Sequence, residues 1–309
     1  MHGKVVLAGG NGYIGRNLAK HLSDSGYEVV VLSRQGAGSL VWDGRSLGDW
    51  ITQLEGAIAV VNLAGVAVSK PWTEANRLAI FESRIESTRV LGKAIECLSN
   101  PPKVWLNSSA VGFYGDRGDE ILDENSSAGP KGHFLANLCV AWEDEHERAN
   151  TPSTRKVRVR TGVVLGHGSH AFEPMRKTVV FFAGGQLGNG RQYMSWIHVQ
   201  DLVRMMQWAI ETEITGVLNG SAPEPAQNAY LMSMMRAMLR RPWAPPVPSL
   251  ILKLVSLLGG PNASLLLEGQ RALPEAATAG GFQFDFPQLR EALVDLMLGK
   301  MPVEPCAAG

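Results

Sequence analysis

A chain that runs Val5-Val6-Leu7 directly into four glycines and then into a helical pattern has few ways to fold. In the run VVLAGGNGYIG, Val5–Gly15, the three apolar residues read as a buried parallel strand, and Ile14, Leu18 and Leu22 recur at helical spacing until Ser25-Gly26 stops the helix. The loop between them must turn sharply. Glycines at 9, 10, 12 and 15 permit that turn, let backbone N–H groups approach a phosphate, and let the helix pack closely on the strand while its N-terminus supplies positive potential. The run reads as G-x-x-G-x-x-G from Gly9 or as G-x-G-x-x-G from Gly10. Such turns also occur without a ligand, so the strand before and the helix after carry the reading as a dinucleotide pyrophosphate site.

At 309 residues the chain can bury a sizeable core, as one large α/β unit or as a domain with a smaller attached lobe. Lys plus Arg equals Asp plus Glu at 29 each, which argues against nucleic acid and against an anionic membrane surface as partner and leaves a small molecule as the default. Cys97, Cys139 and Cys306 lie far apart without C-x-x-C spacing, so neither a disulfide framework nor a metal site is expected. The first strand starts within five residues of Met1, which leaves no room for a targeting peptide, and Leu250–Leu267 is broken by Lys253 and Gly259-Gly260-Pro261, too interrupted to span a bilayer. A cytoplasmic protein, monomeric or homodimeric, is the expectation.

Strand and helix patterns alternate over the first two-thirds, which predicts an α/β fold with a doubly wound parallel sheet covered on both faces. Strands are expected at Val5–Leu7, Glu28–Leu32, Ala57–Leu63, Lys103–Asn107 and Val157–Val164, with a short candidate at Leu40–Trp42. An amphipathic helix is expected over Thr73–Leu98, with Leu78, Phe81, Ile85, Thr88, Leu91 and Ile95 on one face, and another from Phe134 to Ala149. Irregular segments at Val111–Gly132 and Gly166–Tyr193 follow strands, on the side where open α/β sheets bind ligands. From Ala226 the pattern changes to helices separated by prolines. The expected division is a nucleotide-binding domain over 1–225, a smaller, mainly helical C-terminal substrate lobe over 226–300 to which 166–195 contributes, and a frayed tail over 301–309.

The second strand ends in Ser33-Arg34, about 20 residues beyond the last glycine, where an NAD-binding chain places Asp or Glu on the adenosine ribose. Here the acid is missing. Arg34, with Ser33 beside it, suits the 2′-phosphate of NADP; the alternative is an arginine solvating a surface turn. The next strand closes with Leu63-Ala64-Gly65, small residues that let the backbone pass close to the ribose and pyrophosphate.

Together VVLAGGNGYIG, VVNLAG (Val60–Gly65), NSSAVGFYGD (Asn107–Asp116), RTGVVLG (Arg160–Gly166) and WIHVQDLV (Trp196–Val203) resemble, in order, the landmarks of extended short-chain dehydrogenases/reductases of the nucleotide-sugar epimerase type. More narrowly, FESRIEST (Phe81–Thr88), LGNGRQYMSWIH (Leu187–His198), GVLNGSAP (Gly216–Pro223) and LLEGQRALP (Leu266–Pro274) resemble the atypical subfamily known as epimerase family proteins. The resemblance implies a Rossmann-type domain with bound NADP(H). It assigns Gly9, Gly12, Tyr13 and Ile14 to the pyrophosphate, Ser33 and Arg34 to the adenosine phosphate, and Leu63, Ala64 and Gly65 to the ribose side. Ser108, Ser109, Thr161, Gly162 and Val163 fall at the nicotinamide end.

The family's chemistry uses a Ser or Thr after the fifth strand and a Tyr and Lys four residues apart on the next helix, the Lys lowering the Tyr pKa from about 10. In this chain Phe134 stands where Tyr is expected and Leu138 where Lys is expected, a departure shared with the atypical subfamily. Candidate replacements are Ser109 to orient a carbonyl, and Tyr114 or His133 to exchange a proton; the competing readings are a structural Tyr114 and a His133 that caps its helix. Glu143 is expected to face solvent and Trp142 the core, Asp201 to cap the helix near Val199, and His198 to be a structural hydrogen-bonder. Arg271 is either an anion receptor in the C-terminal lobe or a solvated helix-end cation. The leading expectation is an NADP(H)-dependent oxidoreductase acting on a small carbonyl or alcohol. Its rivals are an NADP-retaining nucleotide-sugar epimerase and a catalytically silent NADP-binding regulator or redox sensor.

Overall fold

The computed structural model describes residues 2–34 and 39–299; the tail at 301–309, and Cys306 with it, lies outside the described residues. From the N-terminus β1 (Lys4–Ala8), α1 (Tyr13–Asp24), β2 (Glu28–Ser33), β3 (Leu40–Val41) and β4 (Ala59–Asn62) lead to the long α2 (Glu74–Glu96). There follow β5 (Val104–Ala110), β6 (Ile121–Leu122), α3 (Phe134–Arg148), β7 (Arg155–Thr161), β8 (Val163–Leu165), α4 (Phe172–Val180), β9 (Tyr193–Met194), β10 (Trp196–His198), α5 (Val199–Glu211) and β11 (Gly216–Gly220). The remainder is β12 (Ala226–Gln227), α6 (Asn228–Met238), α7 (Ser249–Leu257), α8 (Ser264–Leu267), β13 (Arg271–Ala272), α9 (Glu275–Ala279) and α10 (Leu289–Leu298).

The main sheet has seven strands in the order β11-β7-β5-β4-β1-β2-β3, all parallel. The apolar runs of its central strands β1, β4 and β5 are buried on both faces, while the edge strand β3 is exposed. Val5 and Leu7 pack with Leu18 and Leu22 of α1 and Leu202, Met205 and Met206 of α5, while Val6 and Ala8 pack with Val90, Leu91, Ala94 and Ile95 of α2. Leu18 and Leu22 are fully buried, each such side chain contributing about 1.5–3 kcal/mol. Strand order reverses between β1 and β4, so the crevice beyond their C-terminal ends is the topological switch point.

Two expected elements differ. The single strand at Val157–Val164 breaks at Gly162, where a Cβ would lie 2.1 Å from the Ser195 carbonyl oxygen. Gly162 N still donates to Gly220 O, but Val163 N donates to Ser195 O, and the chain leaves the main sheet to pair β8 with β10. On α2, Ile85, Thr88, Leu91 and Ile95 are buried as the pattern predicts, whereas Leu78 is 56% exposed. The neighbouring Ile80 is fully buried instead, so the buried face of the first turns is set by Ile80 rather than by Leu78. Residues of β8, α4 and β10 share one apolar core with α6 and α10, including Leu165, Phe172, Trp196, Leu231, Met235 and Leu293. No described helix is long and apolar enough to cross a membrane.

Candidate functional site

The phosphate loop follows from three tight contacts and one opening. Gly9 adopts φ +78°, and a Cβ there would lie 2.8 Å from Ala64; a Cβ on Gly15 would lie 2.5 Å from the Gly10 carbonyl oxygen. Only glycine fits either place. Gly12 is different: a Cβ would meet only Gly9 O, at 3.5 Å, so packing does not demand glycine there. Gly12 is the N-cap of α1 and contributes no side-chain cap, which leaves the first N–H groups of a twelve-residue helix facing the opening. The Tyr13 hydroxyl is turned toward Gly166, where a Cβ would lie 2.1 Å from it; it is buried without a partner, and burial pushes its pKa up to about 12. An uncapped helix start and space that a Cβ would fill together fit a phosphate-bearing ligand.

The neighbouring segments are pinned by buried polar side chains. Asn62 Nδ2 donates to Asn107 Oδ1 (2.8 Å) and Thr88 Oγ1 (3.1 Å), and its Oδ1 accepts from Ala64 N (3.1 Å). Leu63, Ala64 and Gly65 are thereby held against Gly9. At the end of β2, Ser33 is buried and its Oγ accepts from Asn11 Nδ2 (2.8 Å), while Arg34 is exposed. Arg16, also exposed, donates to Asn11 O (2.6 Å), adding a second cation beside the loop that the sequence reading passed over. Ile14, at the start of α1, and Thr161, Gly162 and Val163, at the end of β7 and the start of β8, are half-buried, and Ser108 is buried on β5.

A further cation was visible only as part of the FESRIEST run. Arg84 of α2 donates through Nη1 to Val66 O and Ile80 O (both 3.0 Å), lies 5.1 Å from the Trp142 ring, and stands so close to Gly65 that a Cβ there would meet its Cζ at 3.0 Å. Burial draws its pKa down to about 10, and no carboxylate pairs with it among the described residues. The available signal was the absence of Asp or Glu three or four residues away on either side of Arg84.

Helix α3 presents two faces. Phe134, Leu138 and Trp142 lie toward α2: Phe134 meets Trp72 edge-on at 4.8 Å with Arg77 4.6 Å above it, and Trp142 Nε1 donates to Thr88 Oγ1 (2.9 Å). Leu135, Cys139 and Glu143 lie toward β5 and the turn Val111–Tyr114 that follows it. Neither face carries a phenol or an ammonium.

Glu143, expected at the surface, is buried. Arg160 of β7 explains why: its Nε and Nη2 fork the carboxylate at 2.9 and 2.8 Å, a bidentate pair that offsets desolvation. Ser109 is 3% exposed and donates to Glu143 Oε1 at 2.6 Å, so its proton points inward. Tyr114 is fully buried, donates to Asn219 Oδ1 (2.8 Å) and accepts from Arg160 Nη1 (2.9 Å); burial raises its pKa to about 12. That geometry is the structural reading of Tyr114. His133 is the N-cap of α3, its Nδ1 accepting from Ala136 N (3.3 Å), and its Nε2 lies 2.6 Å from Glu268 Oε2, so it joins α3 to the segment after α8.

The cap expected of Asp201 is supplied by its neighbour. His198 Nδ1, not Asp201, accepts from Gln200 N to cap α5 (3.2 Å). Asp201 is fully buried and accepts from Asp285 N and Phe286 N (2.8 and 2.9 Å), clasping the segment that leads into α10. Arg271 is a strand residue of β13, its guanidinium 4.9 Å from the Tyr193 ring, rather than a helix-end cation.

A parallel sheet that reverses its strand order beside an open glycine loop defines a dinucleotide-binding α/β protein. The chain belongs to the NAD dependent epimerase/dehydratase family, which matches residues 5–219; a domain of unknown function, DUF1731, matches 247–296. Epimerase family protein SDR39U1 of Mus musculus is 37% identical over 300 residues, 95% of this chain and 99% of that protein. The SDR39U1 homolog of Arabidopsis thaliana, named chloroplastic, is 34% identical over 308 residues, 95% of this chain and 86% of that protein. The crystal structure of human epimerase family protein SDR39U1 (isoform 2) with NADPH superposes with a TM-score of 0.87 at 37% identity, covering 95% of this chain and 98% of that one. The chain is thus an atypical extended short-chain dehydrogenase/reductase of the epimerase family protein type.

Proposed function

We propose that this chain binds NADP(H) in the crevice between β1 and β4 and is an oxidoreductase of the extended short-chain type for a small carbonyl or alcohol. The observation that carries the reading is the open Gly12 cradle at the uncapped start of α1, flanked by Arg34 and Arg16 with no carboxylate at the end of β2. Gly9, Gly12, Tyr13 and Ile14 hold the pyrophosphate, Ser33 and Arg34 the 2′-phosphate, and Leu63, Ala64 and Gly65 the ribose side, with Arg84 as a further cation there. Thr161, Gly162, Val163 and Ser108 border the nicotinamide end. When bound, the dinucleotide supplies or takes a hydride.

The protein's own part in the reaction is unusual. Ser109 presents lone pairs, not its proton, to the crevice while Glu143 holds it, so it accepts a hydrogen bond from an alcohol more readily than it donates one to a carbonyl. A proton leaving that alcohol has the Arg160-paired carboxylate of Glu143 one hydroxyl away. Tyr114 takes no part, because its phenol is sealed against Arg160 and Asn219. The sealed phenol and inward serine also favour a second reading, a chain that binds NADP(H) without turnover. No nucleic acid takes part, and the free Cys97 and Cys139 fit a reducing compartment such as the cytoplasm. Single-turnover oxidation of bound NADPH against ketones, quinones and nucleotide sugars tests this: transfer to one class supports the oxidoreductase or epimerase chemistry, and NADPH that binds but reacts with none establishes the silent binder.

A further inference from the structure

Charge and apolar exposure coincide on one rim of the C-terminal region. In a chain whose charges sum to zero, no Asp or Glu occurs between Glu224 and Glu268, while Arg236, Arg240, Arg241 and Lys253 do. Within that stretch α7 buries only Leu252; Leu250, Leu254 and Leu257 are 76%, 54% and 83% exposed, and Ile251, Val255 and Leu258 widen the same apolar face. Trp243 and Phe181 stand out at 74% and 76%. The pieces are joined: Arg241 lies 4.3 Å over the Phe182 ring, and Val247 N donates to Gln186 O while Gly188 N donates to Val247 O. Phe182 and Arg240 are the two non-glycine residues with positive φ among the described residues, so backbone that side chains rarely adopt is used to turn an aromatic and a cation outward at this rim.

We propose that α7, with Trp243, Phe181 and Phe182 beside it, docks on an anionic phospholipid surface. Leucines on the outer face of a short helix, cations in the same acid-free stretch of chain, and an exposed tryptophan are the chemistry of in-plane interfacial binding. At nine residues α7 is far below the roughly 20 needed to cross a bilayer, so it lies along the surface rather than through it. A second copy fits less well, because a two-fold interface through this patch would set Lys253 and Arg240 near their own copies. The overall neutral charge that argued against an anionic membrane hides this local excess.

The test is co-sedimentation of the full chain with phosphatidylcholine vesicles containing or lacking phosphatidylglycerol, at low and high salt. Expected are binding that needs phosphatidylglycerol and fades with salt, a loss of roughly fivefold for Lys253→Ala, the equivalent of about 1 kcal/mol per cation, and near-complete loss for Leu254→Asp/Leu257→Asp. Both sites are exposed, so thermal stability and NADPH titration should match wild type and show that the variant is folded. Brominated lipid should quench fluorescence in wild type more than in Trp243→Phe. Absence of binding to either vesicle overturns the proposal, as does equal binding to both, and so does a dimer in light scattering that Leu254→Asp/Leu257→Asp dissociates.

Discussion

Ser109 Oγ donates to Glu143 Oε1 across 2.6 Å, and both oxygens of that carboxylate are held by Arg160. A serine in the family's catalytic position is therefore wired to a buried ion pair. With no Tyr-x-x-x-Lys pair on α3, the polar side chains joined between α3, β5 and β7 are those of this network.

Removing one member of the pair should be costly. Glu143→Ala leaves Arg160 charged and unpaired in the interior and should destabilise the fold by about 3–5 kcal/mol, read as a shift in the denaturant midpoint. Ser109→Ala removes only one hydrogen bond, about 1 kcal/mol, and should slow single-turnover hydride transfer while leaving NADPH affinity unchanged. A Ser109→Ala protein that transfers at the wild-type rate would remove Ser109 from the reaction.

Tyr114→Phe separates a structural phenol from a chemical one. Its hydroxyl is enclosed by Arg160 and Asn219, so the variant should lose stability by roughly 1–2 kcal/mol with transfer intact. A transfer rate that collapses at unchanged stability would contradict this geometry.

Arg34→Ala should weaken NADPH by roughly 10- to 100-fold, the equivalent of a charge-assisted hydrogen bond of about 1.5–3 kcal/mol, and leave NADH nearly untouched. Fluorescence titration of both nucleotides decides it; equal losses would make Arg34 a surface residue only.

Gly12→Val and Gly15→Ala should fail differently. At Gly12 there is room for a side chain, so Gly12→Val should fold and lose the thermal stabilisation that NADPH gives wild type; at Gly15 a Cβ collides with Gly10 backbone, so Gly15→Ala should lose stability even without nucleotide.

Acid should destabilise the protein through its buried imidazoles. Burial lowers the His198 pKa from 6.5 to about 4, against the pull of Asp295 and Asp285, and burial also holds His146 well below its ordinary value. The unfolded chain binds these protons first, so stability is complete above pH 6.5 and falls as pH drops toward 4. His146→Leu, which replaces a buried ring whose nitrogens lack partners, should flatten the acid limb of Tm against pH.

Much of this fold was legible in the sequence because its signals are local. The alternation of Val5, Val6, Leu7 and Ala8 between two cores, the glycines that let β1 turn into α1, and Thr73 and His133 at helix starts each act within a few residues. Glu143 reads as a surface residue in the sequence because its partner Arg160 is seventeen residues away, on strand β7 rather than on its own helix α3, and a carboxylate's burial depends on a cation that only packing delivers. Val157–Val164 reads as one apolar strand, yet Gly162 divides it because the Ser195 carbonyl comes from another part of the chain.

The sequence by itself determined the parallel sheet, the phosphate loop at its switch point and the missing tyrosine and lysine, since strand period, glycine spacing and residue identity are properties of the chain alone. The tertiary structure decided which polar groups are open and which are sealed: it turned Ser109 inward to Glu143, enclosed Tyr114, carried Arg84 to Gly65 and left α7 uncovered. Those outcomes depend on pairings between residues distant in sequence, and the balance between desolvation and partnership that fixes each one exists only after the layers have packed.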